Sequence, residues 1–108
     1  MGLMSKLAKE RGASYEREVC KTLSERLGTK VSRVLGQARD GGSDIDLGPF
    51  MIECKRRRKI GVYEWMEQAK TSAAATGQTP IVVCRADGEE SLCIIRLDDA
   101  IKLLQNEL

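Results

Sequence analysis

From Ser14 to about Leu27, apolar side chains recur at helical spacing. Cys20, Leu23 and Leu27 fall on one face with Val19 beside them, and Gly28 supplies the stop. The preceding residues, MGLMSKLAKERG, are basic and poorly patterned, which predicts a frayed, flexible arm over 1–12 or a short helix. Residues 30–35 read as a short strand, and GQARDGG (36–42) as a flexible loop of turn formers. Two further strands are expected at 43–47 and 50–55, joined at Gly48-Pro49. After the basic run KRRRK (55–59), a helix spans roughly Tyr63 to Thr76 and ends at Gly77, with Trp65, Met66, Ala69 and Ala73 on its inner face. Residues 81–84 read as a buried strand and 91–95 as another, after a turn near Asp87-Gly88. Asp98 is placed to cap a last helix carrying Ile101 and Leu104. The order α-β-β-β-α-β-β-α predicts one α/β domain over 1–108, a mixed β-sheet flanked by helices.

Side chains alternate along a strand, so the two faces of the hairpin SDIDLGPFMIECK (43–55) can be sorted. With the turn centred between Gly48 and Pro49, Ile45 faces Ile52 and Leu47 faces Phe50, and Cys54 extends that apolar face. The other face carries Asp44 across from Glu53, Asp46 across from Met51, and Lys55 next along from Glu53. Opposed residues on one face have Cβ atoms about 4.5–5.5 Å apart, and like charges there are destabilising. A hairpin of this kind ordinarily reads as a solvated face with a cross-strand salt bridge. That reading leaves the acid-on-acid pairing and the adjacent glycine loop unexplained. A divalent cation between Asp44 and Glu53 explains both. Oxygen ligands suit Mg²⁺ or Mn²⁺, and a lysine one step away suits phosphate-ester hydrolysis.

The chain totals agree with this chemistry. Charged residues make up 31% and the net charge is +2, but residues 1–39 carry +5 and residues 61–108 carry −4. That asymmetry points to one face made for a polyanion. Four cysteines without CxxC spacing and the absence of histidine argue against zinc, and read as reduced, mostly buried thiols of a cytoplasmic protein. No stretch has the apolar length of a membrane span or the pattern of a signal peptide.

Glu16 stands at the end of the inward stripe of the first helix, four residues before Cys20. An acid in a first helical turn suits the helix dipole. The active alternative is a further metal or water contact aimed at Asp44 and Glu53.

Asp44, Glu53 nine positions on, one intervening residue and Lys55 resemble the PD-(D/E)xK nuclease motif, with Ser43 where that family often has proline. GASYERE (12–18) is similar to the opening of the archaeal-type Holliday junction resolvases, and so is VSRVLGQARDGGSD (31–44). The resemblance covers about residues 11–58. It implies a restriction-endonuclease-like fold and a Mg²⁺-dependent (or Mn²⁺-dependent) endonuclease, usually a homodimer. Carried over, Asp44 and Glu53 are metal ligands, Lys55 the catalytic lysine and Glu16 the helix acid. Arg17 and Arg33 become candidates for phosphate contact. The chain departs from the resolvases in its shorter hairpin and in Asp46, an extra carboxylate that could compete for the metal.

The basic run after Lys55 has two readings. It is a solvated loop, or it clamps a DNA backbone through Arg56 and Arg57, with Arg39 and Lys9 or Arg11 farther out. No recognition helix or zinc finger reads bases, so recognition by shape is expected. Trp65 and Met66 are read as core. The expected function is a metal-dependent DNA endonuclease, foremost a homodimeric resolvase that nicks four-way junctions in pairs. Another structure-specific or nicking DNase of this fold and a non-catalytic DNA-binding module are the alternatives.

Overall fold

A computed structural model describes the backbone of residues 2–34 and 43–108, and the side chains of residues 10, 12–34 and 45–108. In chain order the elements are α1 (Gly2–Leu27), β1 (Ser32–Arg33), β2 (Ser43–Leu47) and β3 (Phe50–Arg57). They continue with α2 (Val62–Thr76), β4 (Thr79–Ala86), β5 (Leu92–Ile95) and α3 (Leu97–Gln105). The strands form one sheet ordered β1-β2-β3-β4-β5. The pairs β1–β2, β2–β3 and β4–β5 are antiparallel, whereas β3 and β4 run parallel because α2 crosses between them. The architecture is the expected mixed α/β sheet flanked by helices, consistent with a restriction-endonuclease-like fold.

Alternation in the strands divides the sheet into two faces. On one, Ile45, Ile52, Cys54 and Ile81 pack with Tyr15 and Val19 of α1 and with Val31. On the other, Val82 and Cys84 pack with Trp65, Met66 and Ala69 of α2. Gly77 closes α2 in the left-handed conformation, φ 70°, with its N–H donating to the Ala73 carbonyl. Gly48 at φ 54° makes the tight β2–β3 turn, a conformation that glycine reaches without a Cβ penalty.

Several expectations shift. The helix begins at Gly2, so the residues read as an arm or a short helix continue into α1. Its inward stripe holds at Glu16 and Val19, which are buried, and at Cys20 and Leu23, which pack against the core, but Tyr15 joins it and Leu27 is 55% exposed. Asp98 does not cap α3. Arg96 takes the N-cap position, and Asp98 and Asp99 sit in the first turn, where carboxylates favour the helix dipole. β3 and β4 each run past the predicted ends, to Arg57 and Ala86, because their parallel ladder continues under polar side chains. The loop 36–42 lies outside the described residues. All four cysteines are free; Cys54 and Cys84 are buried, Cys20 is partly so and Cys93 is exposed. No helix among the described residues is long and apolar enough to cross a membrane.

Candidate active site

The two-residue turn at Gly48-Pro49 fixes the hairpin register as Leu47↔Phe50, Asp46↔Met51, Ile45↔Ile52 and Asp44↔Glu53. The Asp44 and Glu53 positions are therefore directly opposed. Ile52 and Cys54 point into the α1 core, so alternation sends the intervening Glu53, and then Lys55, to the α2 face. In the parallel ladder, Glu53 pairs with Val82 and Lys55 with Cys84, both fully buried apolar neighbours.

On that floor the Lys55 ammonium lies 3.4 Å from a Glu53 carboxylate oxygen, and both side chains are 1% exposed. Removing two charges from water costs several kcal/mol per ion in a protein interior, so such a pair is weak as a stabilising device. Apolar side chains of the same volume would serve a sheet interior as well. Buried charge of this kind concentrates where a fold performs chemistry.

The other acids have different surroundings. Glu16, 4% exposed overall, accepts a 2.7 Å hydrogen bond from Arg33 Nε. Arg33 pairs across the sheet with Ile45, so this contact lies on the α1 face, away from the face that carries Glu53 and Lys55. The Glu16 carboxylate raises the already high pKa of the Arg33 guanidinium. Asp46 is exposed, and its Oδ1 accepts a 2.7 Å hydrogen bond from Gln78 Nε2. The same amide donates to the carbonyls of Gly48 and Phe50 at 2.9 and 3.2 Å, tying the hairpin turn to the start of β4. Asp46 is thus engaged as a brace. The sequence offered one clue to this role: Asp46 faces Met51 and has no acid opposite it. Gln78 itself carried no visible signal.

Among the cationic candidates, Arg17 is exposed on α1. Arg56 Nε lies 3.7 Å from Asp87 on the β4–β5 turn, and Arg57, on the same face as Lys55, donates to the Arg56 carbonyl. Arg39 and the side chains of Lys9 and Arg11 lie outside the described residues, as does the side chain of Asp44.

Residues 7–107 match the protein family described as "Phage putative PDDEXK endonuclease". The chain belongs to this family. It is therefore a member of the PD-(D/E)xK nuclease superfamily, the broader of the two resemblances its motifs suggested. No match was found among curated proteins or among solved structures. For this PDDEXK chain the donor chemistry fits a hard cation. The opposed positions both supply carboxylates, the chain has no histidine, and Mg²⁺ takes one or two carboxylates while keeping several waters. No group of three or more His, Cys, Asp or Glu gathers among the described residues.

Proposed function

We propose that the chain is a divalent-cation-dependent DNA endonuclease that acts on branched DNA, foremost the four-way junction, as a homodimer. The observation that carries this reading is the buried Glu53–Lys55 pair on the strand whose register opposes Asp44 to Glu53. Asp44 and Glu53 would hold Mg²⁺ or Mn²⁺. When bound, the cation supplies charge neutralisation at the scissile phosphate and lowers the pKa of water.

The chain's own residues do the remaining work. Glu53 holds the Lys55 ammonium in place, and that ammonium stabilises the attacking oxygen as negative charge develops on the phosphate. Val82, Cys84 and the α2 residues Trp65 and Met66 keep this face apolar, which strengthens each electrostatic contact there. Glu16 enters by orienting Arg33, whose guanidinium then meets a phosphate oxygen. Arg17, Arg39, Arg56 and Arg57 extend the backbone contact and fix position without reading sequence.

Two features support branched DNA and a dimer. Among the described residues no element is built to read bases, which favours shape as the means of selection. A junction needs two symmetric cuts, and a C₂ pair supplies two sites. α3 turns Leu97, Ile101 and Leu104 outward, 73%, 42% and 55% exposed. Separately, an apolar cavity of about 730 Å³ opens between α1, the sheet and Leu103 of α3. A second copy covering this surface would remove the exposed stripe.

The test presents a synthetic four-way junction and a matched linear duplex with Mg²⁺ or with EDTA. Paired symmetric nicks on the junction alone are expected. Equal cutting of both DNAs would assign a general nuclease, and binding without cutting in Mg²⁺ or Mn²⁺ a non-catalytic module.

A further inference from the structure

The chain contains four aromatic residues, and the structure treats one of them differently. Tyr15 and Trp65 are buried at 1% and 6%, and Phe50 is partly buried against the α1 core. Tyr63, in the first turn of α2, is 88% exposed. A single exposed apolar residue needs no explanation. This one follows closely in sequence on Arg58 and Lys59, both exposed, and on Ile60, 38% exposed.

The same segment frames a cavity. Between the end of β3 and the start of α2 lies a concavity of about 460 Å³, lined by the cations Arg57, Arg58 and Lys59, the acid Glu64, and Ile60, Gly61 and Trp65; Tyr63, between Gly61 and Glu64 in sequence, adjoins this lining without being part of it. That volume is within the range of small-ligand sites. Its position relative to the candidate active site follows from the strand. Glu53, Lys55 and Arg57 alternate onto one face, so Arg57 follows Lys55 by about 7 Å, two residues of strand rise. The cavity therefore opens where a DNA strand leaving Lys55 would place its next nucleotide.

Cations along a groove with a displayed aromatic form the pattern that binds single strands. The cations track phosphates, and the ring offers a face to an unstacked base. A base inside an intact duplex is already stacked and paired, so Tyr63 has nothing to hold on continuous duplex DNA.

We infer that this cavity, with Tyr63, Arg58 and Lys59, binds an unpaired nucleotide of the substrate strand beside the cleaved linkage. The inference rests on the nuclease reading for its location, and it narrows the substrate class to DNA with unpaired or splayed bases.

The test measures binding in EDTA, where no cleavage occurs, so its outcome is separate from that of the nuclease reading. Fluorescence anisotropy compares a duplex carrying a single-stranded segment with a fully paired duplex of equal length. The intact protein should bind the first more tightly. Tyr63→Ala should weaken that binding about 5- to 150-fold, the range of one base–aromatic stack, and leave the paired duplex unaffected. Tyr63→Phe should restore it. In the doubly substituted Arg58→Gln/Lys59→Gln protein, both DNAs should bind more weakly and with a shallower salt dependence. 2-Aminopurine in the unpaired segment should be quenched by the intact protein and not by the Tyr63→Ala protein. Equal affinity for the two DNAs, or an unchanged preference in Tyr63→Ala, overturns the inference. Circular dichroism checks that Tyr63→Ala is folded, as an 88% exposed side chain implies.

Discussion

The two faces of β3 are built from one strand and obey opposite rules. Toward α1, Ile52 and Cys54 meet Ile45, Ile81, Tyr15 and Val19, an interior whose only demand is shape. Toward α2, Met51, Glu53 and Lys55 alternate with them, and Glu53 and Lys55 are as buried as their apolar neighbours. The first face shows what the sheet requires in order to fold. The second departs from that requirement by placing a carboxylate and an ammonium where Val82 and Cys84 show that apolar groups fit. The proposed chemistry lies on the second face, where charge is kept inside against its solvation cost.

The largest effect expected from breaking this contrast is on the acting face. Glu53→Gln or Lys55→Ala should reduce DNA cleavage at least about 10²- to 10³-fold while leaving DNA binding largely intact. Lys55→Met should also destabilise the fold by about 3–5 kcal/mol, because it leaves a buried carboxylate without its ammonium. Glu53→Leu combined with Lys55→Met should recover most of that loss in urea unfolding, yet remain inactive. A double variant as unstable as Lys55→Met would mean that the pair is structural.

On the other face the effects should invert. Ile52→Ala opens a cavity against α1 and should cost about 2–5 kcal/mol, with cleavage per folded molecule nearly unchanged. A fall in the specific activity of the folded fraction would show that the two faces are not independent.

Smaller effects sharpen the boundary. Gln78→Ala removes the brace from Asp46 and the hairpin turn and should cost about 1 kcal/mol in chemical denaturation. Tyr15 anchors α1 by donating a 2.8 Å hydrogen bond to Ser91 Oγ. Burial raises its phenol pKa above the ordinary 10.0, against the opposing pull of the Ser91 hydrogen bond. The folded chain therefore keeps a proton that the unfolded chain gives up. The stability this contributes is fully present below pH 10 and declines as pH rises through the folded pKa. Tyr15→Phe should lose about 0.5–1.5 kcal/mol at neutral pH and flatten the alkaline decline, as melts at pH 8 and above pH 10 would show.

The hairpin was readable from sequence because a two-residue turn leaves a single register, and Ile45, Leu47, Ile52 and Cys54 leave a single choice of inner face. α2 was readable for a similar reason: Trp65, Met66, Ala69 and Ala73 keep helical spacing up to a glycine that stops them. α1 was harder. Glu16 is buried at the end of the stripe, as its spacing suggested, but Tyr15, a type that also suits solvent, joins the packed face, while Leu27 at the other end of the stripe is exposed. Glu16 was read as the helix acid; the structure adds its partner Arg33, a long-range contact that spacing does not encode. α3 defied its own pattern. Ile101 and Leu104, the apolar positions read onto it, are 42% and 55% exposed, and the buried residue is Asp99, held by Arg96 at 2.8 Å. The membership in a PDDEXK family rests on nearly the whole chain, residues 7–107, whereas the motifs that suggested it span less than half.

Calorimetric titration with Mn²⁺ tests most directly whether opposed acids on β2 and β3 form a cation site. The account predicts one binding heat in the native protein and in Asp46→Asn, whose carboxylate is engaged by Gln78. The same heat should vanish in Asp44→Asn and in Glu53→Gln. Uptake that survives both of those substitutions, or that disappears with Asp46→Asn alone, would contradict it.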